Sequence, residues 1–378
     1  MDFSFTEEQT LLRNMVQGFL QDKYDFETRR KIVASDEGWS KDFWQEWAEL
    51  GLLAAPFSEE QGGLGGGAID TMVIMEEFGR ALVVEPYMET VVLAGGFLRE
   101  GASEAQQAAH IPGIVAGENV WAVAYAEPQG RYNLADLVTT AKADGEGFVL
   151  NGYKAVVLGG PWADKLIVTA RTSGGQRDSD GVSVFIVDKS AAGVSARDYP
   201  TVDGRRASEI TFENVKLGAD ALIGEAGKGL PLVEKVIDQG IGALCAEAVG
   251  GMKELNDATV EYCKTRKQFG VPIGKFQVLQ HRMVDMFMSY EQTKSLLVRA
   301  MCSLAEENED AEKSILALKV MVGRAGKHIG GEAIQLHGGM GITDELDVGH
   351  YVKRLMMINA LFGDADYQQQ KFSALTNQ

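Results

Sequence analysis

The sequence predicts an α+β fold in which helices and strands occupy separate domains. Three observations predict it. Apolar residues recur at helical spacing up to about residue 115, strand-like runs fill the middle third, and helical spacing resumes from Gly229. In order, Thr6-Glu-Glu-Gln is a helix start with Thr6 as its cap. Leu11, Leu12, Met15, Val16 and Phe19 then follow at helical spacing. A second helix carries Phe43, Trp44, Trp47 and Leu50 and stops at Gly51, and a glycine-rich loop over residues 61–70 feeds a helix from Met72 to Leu82. Phe148–Leu158 reads as two short strands around Asn151-Gly152, because a type I′ hairpin turn needs two residues at positive φ. Further runs at 165–170, 182–187 and 209–215 suggest a small antiparallel barrel or sandwich. Leu232, Val233, Val236, Ile237, Leu244 and Val249 mark one long C-terminal helix and Ser314–Ile334 another, as in an antiparallel bundle.

Composition narrows the function classes. The 378 residues are 45% hydrophobic and 24% charged, with 54 acidic and 36 basic residues and a net charge of −18. Such a chain is a poor ligand for nucleic acid or an anionic membrane, although a local basic patch can still bind an anionic cofactor. Cys245, Cys263 and Cys302 form no CxxC pair, which reads as a reduced, cytoplasmic protein without a disulfide frame. The five histidines form no metal-binding pattern. The acidic N-terminus lacks a signal peptide's basic start and apolar core, and no run reaches the about 18 apolar residues of a membrane span.

Three segments invite a chemical reading. Gly63-x-Gly65-x-x-Ala68 matches the dinucleotide fingerprint G-x-G-x-x-A, but no strand or βαβ unit surrounds it, so it reads as a structural turn. In Tyr262–Gln277 a helix ends in basic residues, Gly270 offers a left-handed cap and Pro272 blocks continuation. By itself this reads first as a basic helix end facing its own dipole, ahead of a binding role. In Gln335–Glu345 the paired Gly338-Gly339 let a backbone approach a phosphate closely, or simply turn between helices.

Together, Thr265-Arg-Lys-Gln-Phe-Gly-Val-Pro-Ile-Gly-Lys-Phe-Gln277 and Gln335-Leu-His-Gly-Gly-Met-Gly-Ile-Thr-Asp-Glu345 resemble the paired C-terminal signatures of acyl-CoA dehydrogenases. Leu50–Pro56, Glu76-Glu-Phe-Gly79, Ala126-Glu-Pro128 and Leu150-Asn-Gly-Tyr-Lys154 extend the resemblance over essentially the whole chain. It looks closest to a divergent branch that includes pimeloyl-CoA dehydrogenase small subunits. The resemblance implies the acyl-CoA dehydrogenase fold. That is an all-α N-terminal domain (1–118), a middle antiparallel β-barrel domain (119–224) and a C-terminal four-helix bundle (225–378). It implies FAD between the middle domain and the bundle, its adenine half crossing a subunit interface. Arg266, Gln268 and Phe269 match contacts near the diphosphate. Gln277, Gln335, Gly338 and Gly339 match further cofactor contacts, and Ala126 and Asp364 fall at flavin-side positions. Tyr132, Asp238 and Phe362 fall at substrate positions, Tyr132 where a serine often lies over the CoA tail.

The implied reaction removes a proton from Cα and a hydride from Cβ of an acyl thioester. A carboxylate serves as base, and aimed donors polarise the carbonyl. Gapless register places Phe362 where the family's Tyr-Glu-Gly-Thr motif has its glutamate. Its backbone N–H can still polarise a carbonyl, but its side chain takes no proton. The alternative position on the long helix holds Gly240, followed by Ile241 in place of arginine. Glu247, two turns further among small apolar residues, is the remaining candidate base, with a structural ion pair as the competing role. Asp364 is the second candidate, with cofactor-side hydrogen bonding as its competing role. Three readings follow. One is an acyl-CoA dehydrogenase using Glu247 and passing electrons to an electron-transfer flavoprotein. Another is a partner subunit of an α2β2 dehydrogenase, rather than a homotetramer, that supplies FAD contacts while the other chain supplies the base. The third is a flavin monooxygenase on the same fold.

Overall fold

The computed structural model describes residues 5–376. The chain begins with α1 (Glu7–Lys23), α2 (Phe26–Ala34), α3 (Lys41–Glu49) and α4 (Ala68–Ala81). A π-helix (Met88–Ala94) then leads into α5 (Gly95–Gly101) and α6 (Glu104–Val115). The strands are β1 (Trp121–Ala124), β2 (Thr140–Asp144), β3 (Gly147–Leu158), β4 (Lys165–Arg171), β5 (Val182–Asp188), β6 (Val194–Pro200), β7 (Arg206–Leu217) and β8 (Leu222–Ile223). The C-terminal part holds α7 (Leu230–Thr265), the hairpin β9 (Lys267–Gln268) and β10 (Val271–Pro272), α8 (Gln277–Ala305), α9 (Ala311–His337), α10 (Val348–Ala360) and α11 (Ala365–Thr376).

Two compact units emerge. Among the described residues, one comprises 5–34, 68–83 and 241–376, and the other 35–67 and 84–240. In the first, the helical unit, Thr6 caps α1 as its sequence suggests, and Gln9 closes the capping box by reaching back to the Thr6 N–H. Helices α4 and α7 pack without intervening side chains. A Cβ on Gly79 would strike the carbonyl of Glu247, and one on Gly250 would strike the carbonyl of Glu76.

The second, the sheet unit, is built on one eight-stranded sheet ordered β6-β7-β3-β2-β4-β5-β8, with β1 also on β4. Most pairings are antiparallel, as expected of the middle β domain, while β1–β4 and β2–β4 are parallel. Its core packs Leu150, Leu166, Val168, Phe185, Ile210 and Phe212. β4 and β5 are buried on both faces, whereas β6 is an exposed edge with Arg197 and Asp198 on it.

The predicted hairpin at Asn151-Gly152 is not there. β3 runs through both residues with a register shift, and the turn between β2 and β3 lies at Gly145-Glu146. Gly152 is needed instead because a Cβ there would strike Thr139, and Asn151 accepts from the N–H of Asn214. A tertiary contact and a bulge, not a turn, account for the Asn-Gly pair.

Candidate functional site

In the helical unit, the two glycine-bearing segments are brought together by a pair of rings. Tyr262, on the last turns of α7, stacks on His337, the last residue of α9, with centroids 4.4 Å apart. His337 is buried, and its Nδ1 lies 2.8 Å from the carbonyl of Ala333, which fixes the ring. One residue past α7 stands Arg266, followed by the β9–β10 hairpin. Phe269 and Gly270 form its tip with φ of 54° and 80°, the two left-handed residues of a type I′ turn. Sequence reading predicted a cap at Gly270 and missed this hairpin. Arg266, Gln268, Gln277, Gln335, Gly338 and Gly339 are all exposed, and Phe269 is 91% exposed. Among the described residues the Arg266 guanidinium makes no hydrogen bond or ion pair. No atom lies within 4 Å of the place a Cβ would take on Gly338 or Gly339. A free guanidinium, amide donors and open glycine backbone are what a dinucleotide diphosphate requires, so these residues fit FAD.

Of the two candidate bases in this unit, Glu247 is 2% exposed and faces Arg354 of α10, which is 5% exposed. Nε of Arg354 donates to Oε1 (2.6 Å) and Nη2 to Oε2 (2.7 Å), so one guanidinium fork holds both carboxylate oxygens. Asp364 accepts from the Tyr367 N–H through Oδ1 (2.9 Å) and caps α11.

Beside it, Phe362 is left-handed at φ 57° and buried, and Gly363 follows at φ 103°. A bulky residue in that region carries strain, and such outliers cluster at functional sites. The turn is held from several sides. Gln368 donates to the Phe362 carbonyl (2.6 Å), and the fully buried Lys319 donates to the carbonyls of Ile358 (2.6 Å) and Asn359 (2.9 Å) at the end of α10. Burial pushes the Lys319 ammonium down to about 8, against the pull of Cys245 and Asp364. Sequence reading missed Lys319 and Arg354. The available signal for Lys319 was a single cation inside the otherwise apolar stretch Ile315–Val322, and Arg354, directly after Lys353, gave none.

In the sheet unit, the Ala155 N–H donates to the carbonyl of Ala126 (2.9 Å), which sets Ala126 beside Val156. Val156 is left-handed at φ 51° and half exposed at a register shift in β3. A β-branched residue in that conformation is a marked outlier. The fully buried Lys154 donates to Glu127 (2.7 Å) and to Thr169 (3.1 Å). Tyr132 is half-buried in the loop after Glu127, and Asp238 is half-buried on α7. Gly240, the alternative base position, is crowded by Leu93 of the π-helix, 2.6 Å from where its Cβ would stand.

A helical unit with an exposed cluster of guanidinium, amides and glycine backbone, joined in one chain to a mixed-sheet unit, gives a helix–sheet–helix order along the chain. The family profiles agree. "Acyl-CoA dehydrogenase, N-terminal domain" matches residues 6–118, "middle domain" residues 122–215 and "C-terminal domain" residues 227–372. The chain belongs to the acyl-CoA dehydrogenase family and is an FAD-dependent oxidoreductase acting on acyl-CoA. It is 29% identical over 374 residues to a probable acyl-CoA dehydrogenase of Bacillus subtilis, covering 98% of each chain. It is 28% identical over 376 residues to a caffeyl-CoA reductase-Etf complex subunit of Acetobacterium woodii, again covering 98% of each. The solved FAD complex of PigA superposes with a TM-score of 0.93 at 26% identity, covering 100% of this chain and 99% of the other.

Proposed function

We propose that this protein serves the α,β-dehydrogenation of an acyl-CoA thioester to a 2-enoyl-CoA and passes the electrons to an electron-transfer flavoprotein. The observation that supports this reading is the Tyr262–His337 stack, which joins the segment carrying the exposed Arg266, Gln268 and Phe269 to the one carrying the exposed Gly338 and Gly339. FAD, when bound, supplies the hydride acceptor. The chain's own residues hold the diphosphate through the Arg266 fork and the glycine backbone. They also keep the Phe362 turn rigid through Lys319 and Gln368, where a backbone N–H would polarise the thioester carbonyl. The Acetobacterium relative, named as a subunit of an Etf complex, supports the choice of electron acceptor. Phe269, Phe276, Val278, Val284, Phe287 and Met288 stand exposed on the hairpin and α8, an apolar band that suits association into a tetramer.

Two arrangements supply the proton acceptor. In the first, Glu247 takes the α-proton once the substrate displaces Arg354 from one oxygen. In the second, favoured by the bidentate pair, Glu247 is structural and a non-identical partner subunit brings the base in an α2β2 enzyme. The chain purified alone, loaded with FAD and mixed with short, long, dicarboxylic, aromatic and steroidal acyl-CoAs, separates them. Bleaching of the flavin that slows about 100-fold or more in Glu247→Gln supports the first, since a general base contributes about that much. Bleaching unaffected by Glu247→Gln rules it out. A protein that bleaches only with its partner subunit supports the second. No bleaching in either preparation with any thioester would sink the dehydrogenase reading.

A further inference from the structure

Three buried charges of the sheet unit are spent on one loop, residues 126–139. Glu127 accepts from the N–H groups of Val138 (2.7 Å) and Thr139 (3.2 Å) at the loop's far end. Asp136 accepts from Gln176 and Arg177 (both 2.6 Å). Arg171, at the end of β4, donates to the carbonyls of Ala135 (2.6 Å), Asp178 (3.0 Å) and Asp180 (2.9 Å). Gly130 leaves no room for a side chain, since a Cβ would lie 2.9 Å from the Asp136 carbonyl.

The tip of this clamped loop is a turn closed by the Asn133 N–H on the Gly130 carbonyl (2.8 Å), and its second residue is Arg131 at φ 48°. That position ordinarily takes glycine, asparagine or aspartate. Here it holds an exposed arginine whose guanidinium makes no hydrogen bond or ion pair among the described residues, in a chain of net charge −18. The clamped, strained tip pre-organises the backbone beneath this free guanidinium, so little backbone freedom remains to be lost when it meets an anion. The family's substrate carries anions in its CoA moiety, a diphosphate and a 3′-phosphate, and an acidic protein must meet them with local cations.

We infer that Arg131 is a phosphate anchor that takes a phosphate of the CoA moiety. This rests on the reading of the substrate as a CoA thioester. FAD also carries a diphosphate, so the test includes both.

The full chain, FAD-loaded and with its partner subunit where one is required, is titrated with CoA, 3′-dephospho-CoA and pantetheine, with binding followed by calorimetry. Arg131→Ala should weaken CoA about 10- to 100-fold, the range of a charge-assisted hydrogen bond, and leave pantetheine binding and FAD content unchanged. Arg131→Gly suits the left-handed turn, so it should show the same loss without a lower melting temperature. Arg131→Lys should recover part of the affinity. If the wild-type advantage disappears with 3′-dephospho-CoA, the anchor is on the 3′-phosphate, and if it persists, on the diphosphate. Unchanged CoA binding in Arg131→Ala, equal weakening of CoA and pantetheine, or loss of FAD would each overturn the inference. A wild-type protein that holds FAD but binds neither CoA nor pantetheine would instead overturn the thioester reading, and the inference with it.

Discussion

Each unit holds a buried carboxylate bonded to a buried cation, Glu127 to Lys154 and Glu247 to Arg354, and these two pairs are built differently. In the sheet unit Glu127 meets Lys154, a point charge that bonds a single carboxylate oxygen, Oε1, and leaves capacity for the backbone of Val138 and Thr139. In the helical unit Glu247 meets Arg354, whose fork occupies both oxygens. The difference teaches how a buried acid is used. A lysine partner frees a carboxylate to organise a loop, and an arginine partner saturates it and ties two helices together. Neither arrangement resembles the lone, desolvated carboxyl that makes a good general base.

The largest test of this contrast is Glu127→Leu. It strands a buried ammonium and two N–H groups, and should cost about 3–5 kcal/mol, read as a fall in the denaturant midpoint. A loss below about 1 kcal/mol would break the assignment of Glu127 as organiser of the loop. Next, Arg354→Lys keeps the charge but gives up the fork. It should cost about 1–2 kcal/mol and Arg354→Met about 3 kcal/mol or more, so equal costs for both would show that the fork geometry is unimportant.

The third test is the pH dependence of stability. Burial pushes Lys154 down to about 8 despite the pull of Glu127. Burial also opposes the charge on Glu127, but Lys154 and the loop's hydrogen bonds outweigh it and hold that carboxyl below its ordinary range. The pair is therefore ionised at neutral pH. The unfolded lysine titrates near its ordinary 10.5. Between about 8 and that value the unfolded state binds more protons, so this group makes stability rise with pH. Lys319, also depressed to about 8, adds a second rise of the same sign. Lys154→Met should remove about half of that slope in pH-dependent denaturation, and an unchanged slope would show that Lys154 is not desolvated as its burial implies. The smallest effect belongs to Arg177→Ala. Its side chain is 71% exposed although it meets the buried Asp136, so the cost should stay below about 1 kcal/mol.

Much of the fold was legible because its signals are local. The Thr6 cap, the helical spacing around Trp44 and Trp47 and the strand runs at 165–170 and 182–187 all stand where the sequence suggests. Asn151-Gly152 misled for an instructive reason. The pair satisfies a turn and a bulge equally, and only the approach of Thr139 and the N–H of Asn214 selects the bulge. The α2 helix went unread because its nine residues hold few apolar positions and its one buried residue is Arg29, whose Nε donates to the Leu82 carbonyl (2.8 Å). In the candidate site, residue type and spacing picked out the segments around Arg266 and Gly338, and only the family resemblance assigned them to a cofactor. The residues packed around them were not legible. Nothing local announces that Tyr262 will meet His337 or that Lys319 will close the end of α10.

The alternation of helical, strand-rich and helical thirds and the absence of glutamate at position 362 were settled by the sequence alone, since periodicity and residue identity are properties of neighbouring residues. What Glu247 touches was decided only by the tertiary structure. Its partner lies 107 residues away, and whether a buried carboxylate is a base or a clasp depends on which cation the packing of α7 against α10 delivers to it.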